Sequence, residues 1–349
     1  MKKVSEIINF GPEGPQDFAD YLNAYASDVG EVVNSYLPKS VHSEINRYLY
    51  DPLFAYGANY GKCHRPLICF AACRAVGGDV DKATSAASAI EHFHNAALIH
   101  DDIADESHLR RGVACLHITE GIGAAINMGD LALSLVNGTV AKDPLLDDAL
   151  KVRVIRELVD MTQRTIEGQA LDIAWARDGR FDLSTDDYLL MAEHKTAFYS
   201  GGVPLAIGAI IGGGTEEQIE TLRAYGMDAG LAFQIQDDLL NLIGTKESTK
   251  KDFRSDITEG KRTLMVVHAL EHSAHADRLI EILSSKTTEP QELAKAVEIM
   301  QEAGSLDYAR SYAAHITDES IARVSEVLPE STARNLLLSM SKFFVNRLS

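Results

Sequence analysis

The chain is short of cations. Its 349 residues carry 33 lysines and arginines against 51 aspartates and glutamates, a formal charge of −18. Such an acidic surface repels phosphodiester backbones and anionic lipid headgroups, so nucleic acid and membrane surfaces are not expected as general partners. The same deficit makes the position of each basic residue informative, because a small anionic substrate can still be held where the few cations gather. Cysteine is scarce as well: Cys63, Cys69, Cys73 and Cys115, with no CxxC pair. That argues against a disulfide framework and fits reduced, largely buried thiols in a cytoplasmic protein. No apolar run approaches the ~20 residues needed to span a bilayer, so an integral membrane protein is not expected. The N-terminal segment opens with two lysines but lacks the apolar core of a signal peptide. No repeat, low-complexity run or linker divides the chain.

What remains is ordinary for a globular protein, 46% hydrophobic and 24% charged. Apolar residues recur at three- and four-residue spacing nearly throughout, and period-two alternation is hard to find. Helices are expected over 17–37, 64–77, 80–104, 115–142, 146–177, 185–199, 216–243, 262–284, 290–302, 304–327 and 331–347. Residues 1–15, with Gly11-Pro12 and Gly14-Pro15, read as a flexible tail, and 16–349 as one all-α domain, a helical bundle around a central cavity. Two polar stretches interrupt the helices, 105–112 and 244–260.

Each interruption follows an acidic cluster that closes an apolar helix. The first is Asp101-Asp102-x-x-Asp105, the second Asp237-Asp238-x-x-Asn241. Asp101 and Asp105 share a helix face, where like charges repel by a few tenths of a kcal/mol. They also sit at the helix C-terminus, where the macrodipole disfavours anions. Local helix energetics therefore does not account for them. A solvated acidic face would explain one such cluster but explains two poorly. Carboxylates presented this way suit Mg²⁺, which bridges carboxylates to substrate phosphates, in a site between facing helices. The scarce cations sit nearby in sequence: Lys62 and Arg65, Arg110 and Arg111, Lys195, then Lys251 and Lys261. Arginine meets phosphate as a planar fork and lysine as a point charge.

These motifs resemble those of the trans-isoprenyl diphosphate synthases, the polyprenyl synthetase family that includes farnesyl and geranylgeranyl diphosphate synthases. The resemblance runs from about Tyr21 to the C-terminus. It rests on Gly61-Lys62-x-x-Arg65-Pro66, His94 before the first acidic cluster, Arg110-Arg111-Gly112, Lys195-Thr196, and Phe233-Gln234-x-x-Asp237-Asp238 followed by Lys251 and Lys261. It implies an isoprenoid synthase fold, a homodimer, and Mg²⁺ as cofactor, three ions per site when substrate is bound. It implies that Asp101, Asp105 and Asp237 bind metal, with Asp102 and Asp238 in support. Arg110, Lys195, Lys251 and Lys261 would hold the allylic diphosphate; Lys62, Arg65, His94 and Arg111 would hold isopentenyl diphosphate. Thr196 and Gln234 would face the reacting carbons. Two positions depart from the pattern: Tyr60 replaces a glycine, and Asn241 replaces the last aspartate, removing a charge.

The implied reaction is ionisation of an allylic diphosphate followed by attack of isopentenyl diphosphate. It needs no nucleophilic side chain, and no Ser-His-Asp or Cys-His pattern is evident. The growing product would run down the helix from Asp101. Ala97 lies about 6 Å and Phe93 about 12 Å below it on the same face. Ala96 and Ala97 leave room where short-chain synthases often carry an aromatic, and Phe93 is the candidate floor, giving geranylgeranyl diphosphate as the expected product. Farnesyl and longer products are the alternatives. A class I terpene cyclase is disfavoured because Asn241, Thr245 and Glu247 lack its second-motif spacing. A non-catalytic partner subunit is disfavoured because both acidic motifs are nearly intact.

Overall fold

The computed structural model describes residues 2–59, 61–244 and 254–345. It is all-α. Among the described residues the only strands are a small antiparallel hairpin, Leu109–Arg110 with Val113–Ala114. Helices begin where the sequence supplies a cap. Asp17 accepts from the Asp20 amide ahead of Phe18–Asn34, and Asp147 from the Leu150 amide ahead of Asp148–Arg177. Thr215 and Gln218 form a reciprocal capping box ahead of Glu216–Ile243. Each cap is worth about 1 kcal/mol.

Several expected boundaries shift for physical reasons. The first fifteen residues are not a loose tail: they contain a short helix, Val4–Ile7. Val4 and Ile8 share one face and are buried in the main core, while Ser5 bonds to Asp81 through its amide and hydroxyl. The stretch 115–142 divides at Gly121, whose φ of +88 breaks the helix into Leu116–Thr119 and Ile122–Ala141. The stretch 262–284 divides at Ser273, whose hydroxyl accepts from the His275 amide between Leu264–His272 and Ala276–Ser285. Helical segments between Ser43 and Ala58 were not anticipated, nor was Val203–Ile211. Every residue of Val203–Ile211 is buried. A helix that is apolar all round has no periodic signature to read.

The site depends on one unusual element. Residues Glu193–Gly202 form a π-helix, a wider coil that interrupts what would otherwise be a continuous helix from Thr185 to Ile211. Glycines let its neighbours close in. A Cβ at Gly168, on Asp148–Arg177, would lie 2.2 Å from the Lys195 amide nitrogen. On the opposite side, a Cβ at Gly226 would lie 2.4 Å from the Gly201 carbonyl oxygen, and one at Gly230 2.7 Å from the Ala197 Cα. The π-helix is therefore clamped between the long helix and Glu216–Ile243, with Lys195 and Thr196 at the junction.

Candidate active site

The helix Thr84–Ala104 delivers the first acidic cluster. Asp102 is 1% exposed and accepts hydrogen bonds from Nε of Arg110, at 2.8 Å, and from its Nη2. Burial works against the Arg110 charge, but the bond to Asp102 outweighs it and holds the guanidinium pKa above its ordinary value. Asp101 is half-buried. Burial pushes its carboxyl up, Lys195 pulls it back, and Asp105 pushes it up again. Lys261 Nζ bridges Asp105 at 3.1 Å and Glu259 at 2.8 Å. Lys195 pairs with Asp172, a buried residue. Burial alone would raise the Asp172 pKa; Lys195 and Lys261 reverse this and hold it low.

Asp172 was missed in the sequence, although a signal was there. The buried face of its helix reads Val154, Leu158, Met161, Thr165, Gly168, Asp172, Trp175, a seven-residue repeat of apolar and small positions with one carboxylate in it. An unneutralised carboxylate on a core stripe demands a cation, and Lys195 is that cation.

The second cluster lies near the end of Glu216–Ile243. Asp237 is half-buried and Asp238 buried. Tyr188 OH donates to Asp238 Oδ2 at 2.9 Å, and Gln234 Nε2 donates to Oδ1 at 2.6 Å. Thr196 Oγ1 donates in turn to Gln234 Oε1 at 2.6 Å. Burial and then Asp256 push the Asp238 pKa up to about 8, against the two hydrogen bonds. Asn241, the departure from the acidic pattern, is used as an amide. Its Nδ2 donates to Ser255 Oγ at 3.2 Å and its Oδ1 accepts from the Asp256 amide at 3.3 Å. A carboxylate could not make the first of these bonds as donor. Asn241 thus ties the start of Ser255–Glu259 to the second acidic helix, and Asp105, Arg110, Asp256, Glu259 and Lys261 line one polar cleft. Among the described residues no three acidic, histidine or cysteine side chains converge into a ready-made metal cage. The cleft's carboxylates, Asp105, Asp256 and Glu259, are hard oxygen donors of the kind a divalent cation takes together with water and phosphate.

The other cations gather on a second wall. The hairpin turn is of the I′ kind, with φ of +54 at Arg111 and +81 at Gly112. It sends the two consecutive arginines to different partners. Arg110 meets Asp102, whereas Arg111 donates from Nη1 to the Asn59 carbonyl at 2.8 Å. Gly61 leaves room for it, since a Cβ there would stand 2.9 Å from Arg111 Nη2. Arg65, 4% exposed, lies 4.7 Å over the Tyr199 ring and donates to its hydroxyl at 3.1 Å. His94 stacks on the same ring at 5.9 Å. Burial, then Arg65 and Arg111, hold His94 well below the usual imidazole range, so its ring is neutral. Lys62 Nζ lies 5.0 Å over the Phe343 ring. Glu91, buried nearby, has its pKa raised by burial, with Arg65 and Arg111 opposing. Lys251 and Tyr60 fall outside the described residues.

Below Asp101, Ala97 is half-buried and borders the main core, and Phe93 is 2% exposed with its ring edge-on to Tyr199 at 5.5 Å. Ala96 turns away from them. It is fully buried in a separate cluster with Leu53, Met128 and Ala132.

Comparison with known proteins agrees with this architecture. A family model described as polyprenyl synthetase matches residues 46–300. A short chain isoprenyl diphosphate synthase of Methanothermobacter thermautotrophicus is 39% identical over 289 residues, 82% of this chain and 86% of its own. A geranylgeranyl diphosphate synthase of Saccharolobus solfataricus is 30% identical over 94% of this chain and 99% of its own. The crystal structure of geranylgeranyl pyrophosphate synthetase from Pyrococcus horikoshii superposes with a TM-score of 0.85 at 32% identity, covering 95% of this chain and 98% of that one. The chain belongs to the polyprenyl synthetase family and is a prenyltransferase, a trans-prenyl diphosphate synthase.

Proposed function

We propose that the enzyme condenses isopentenyl diphosphate with dimethylallyl, geranyl and farnesyl diphosphates, and that geranylgeranyl diphosphate is its main product. The observation that carries the product length is the pairing of a half-buried Ala97 with a buried Phe93 braced against Tyr199. The first level below Asp101 carries only a methyl group, and the second carries an aromatic ring that cannot easily swing aside. Ala96, packed in the other cluster, plays no direct part in this reading.

Lys195 and Lys261, with Lys251, hold the allylic diphosphate as its C–O bond breaks; Arg110, already bonded to Asp102, contributes its remaining donors. Magnesium on Asp101, Asp105 and Asp237, three ions when substrate is present, would add to the stabilisation of charge on the departing diphosphate. Lys62, Arg65, His94 and Arg111 anchor isopentenyl diphosphate so that its double bond reaches the allylic carbon. Thr196 and Gln234 face the reacting carbons, and the proton lost afterwards goes to the diphosphate.

The enzyme is read as a homodimer. Val152, Val159, Ile166 and Ile173 recur every seven residues along one face of Asp148–Arg177 and are 42–57% exposed, an apolar stripe that a second copy would cover. No described helix is long and apolar enough to cross a membrane, and the four free, buried thiols support a cytoplasmic enzyme.

Product chromatography tests the length assignment. Wild type should yield the twenty-carbon diphosphate, and Phe93→Ala, assayed where it remains folded, should yield longer chains. An unchanged product from the variant would remove Phe93 as the floor.

A further inference from the structure

The hydrogen bonds around the second acidic motif have a direction. Asp238 is placed as an acceptor twice over: from Tyr188 OH at 2.9 Å and from Gln234 Nε2 at 2.6 Å. The Gln234 amide is held in this sense by both ends at once, its Nε2 on Asp238 and its Oε1 on Thr196. That Oε1 accepts the Thr196 hydroxyl proton at 2.6 Å. With that proton spent on Gln234, the Thr196 oxygen presents lone pairs, not a hydrogen, to whatever lies before it. The polarity of Thr196 is thus set three bonds away, at a phenol on the helix Thr185–Ala192. Tyr188 is 1% exposed and sits in the second core cluster with Trp175 and Met191. Its hydroxyl has nothing to do in apolar packing and is spent on Asp238.

We propose that Tyr188 is a positioning residue for the condensation, orienting Thr196 through Asp238 and Gln234 so that an oxygen lone pair faces the reacting allylic carbon. The inference rests on the assignment of Thr196 and Gln234 to the reacting carbons. It places a fourth residue, from outside the recognised motifs, in the same chain. The chain also explains why Asp238 is buried although its neighbour Asp237 is not. Asp238 serves the amide behind it, while Asp237 stays half-buried.

The test is Tyr188→Phe, which removes one oxygen and keeps the ring in its packing. Its kcat should fall by about tenfold, the scale of one hydrogen bond to a charged group. KM for both diphosphates and the Mg²⁺ half-saturation should stay within about twofold, because the relay touches neither anion nor metal. In a Thr196→Val background the same change should have little further effect on kcat, since the group it orients is gone. A second cycle in Gln234→Leu, cut at a half-buried position, should give the same silence and guards against one variant failing to fold. Independent, multiplying losses in the cycles would overturn the proposal. So would a loss that appears in the Mg²⁺ requirement and not in kcat. A Thr196→Val enzyme with full kcat would remove the reading beneath it; a slowed Thr196→Val enzyme with multiplying losses would leave that reading standing and the relay refuted.

Discussion

The two walls of the site store charge differently. On the acidic wall the cations are already engaged by carboxylates: Arg110 with Asp102, Lys195 with Asp172, Lys261 with Asp105 and Glu259. On the cationic wall the arginines rest against softer partners. Arg65 lies on the Tyr199 ring and Arg111 against a backbone carbonyl. An ion pair in a buried site resists separation, while a carbonyl or ring contact is readily exchanged for a phosphate oxygen. The acidic wall therefore needs an added cation to free its lysines for an anion. The cationic wall can take one as it stands.

The largest effect expected from breaking this contrast is at Lys195. Lys195→Met leaves Asp172 buried without its cation, which should cost about 3 kcal/mol of stability, read by denaturant unfolding. Its activity should fall by on the order of 10³-fold through lost stabilisation of the departing diphosphate. Adding Asp172→Leu should restore most of the stability and none of the activity, separating the structural pair from its chemical use. On the cationic wall, Arg65→Lys should raise KM for isopentenyl diphosphate by about tenfold with kcat and stability nearly unchanged, because a point charge replaces a stacked fork.

A smaller effect is expected in acid. His92, buried on the same helix as His94, is held down to about 4 by burial. The folded state then binds fewer protons than the unfolded state between pH 6.5 and 4, so stability is present above that window and is lost as pH falls through it. His92 should contribute a loss of roughly 1–2 kcal/mol between pH 6.5 and 5. His92→Gln should flatten that limb. Asp172 is depressed instead of raised, so its contribution survives until pH falls below the ordinary carboxylate range. The contribution of Asp172 should thus outlast that of His92 as the pH falls.

The sequence was most legible where a residue sat in the wrong electrostatic place. Asp101 and Asp105 stood out because nothing in a helix C-terminus favours them. Gly61 and Arg111 were marked by motif, but their contact depends on a turn with positive φ at a non-glycine residue, which residue type does not announce. The π-helix at Glu193–Gly202 was hidden because its extra residue per turn leaves no mark in a three-to-four spacing. Tyr188 and Asp238 are fifty positions apart and meet only through packing. Asn241 read as a lost charge, and only its two hydrogen bonds disclose that the amide is put to use.

The contrast between the walls is tested most directly by calorimetric titration of each ligand with and without divalent cation. Isopentenyl diphosphate alone is one ligand, and an unreactive thio analogue of farnesyl diphosphate is the other. Chelation with EDTA should leave the Kd of isopentenyl diphosphate within about threefold and weaken the allylic analogue by about 100-fold or more. Equal dependence of both ligands on Mg²⁺, or strong binding of the allylic analogue without it, would contradict the account.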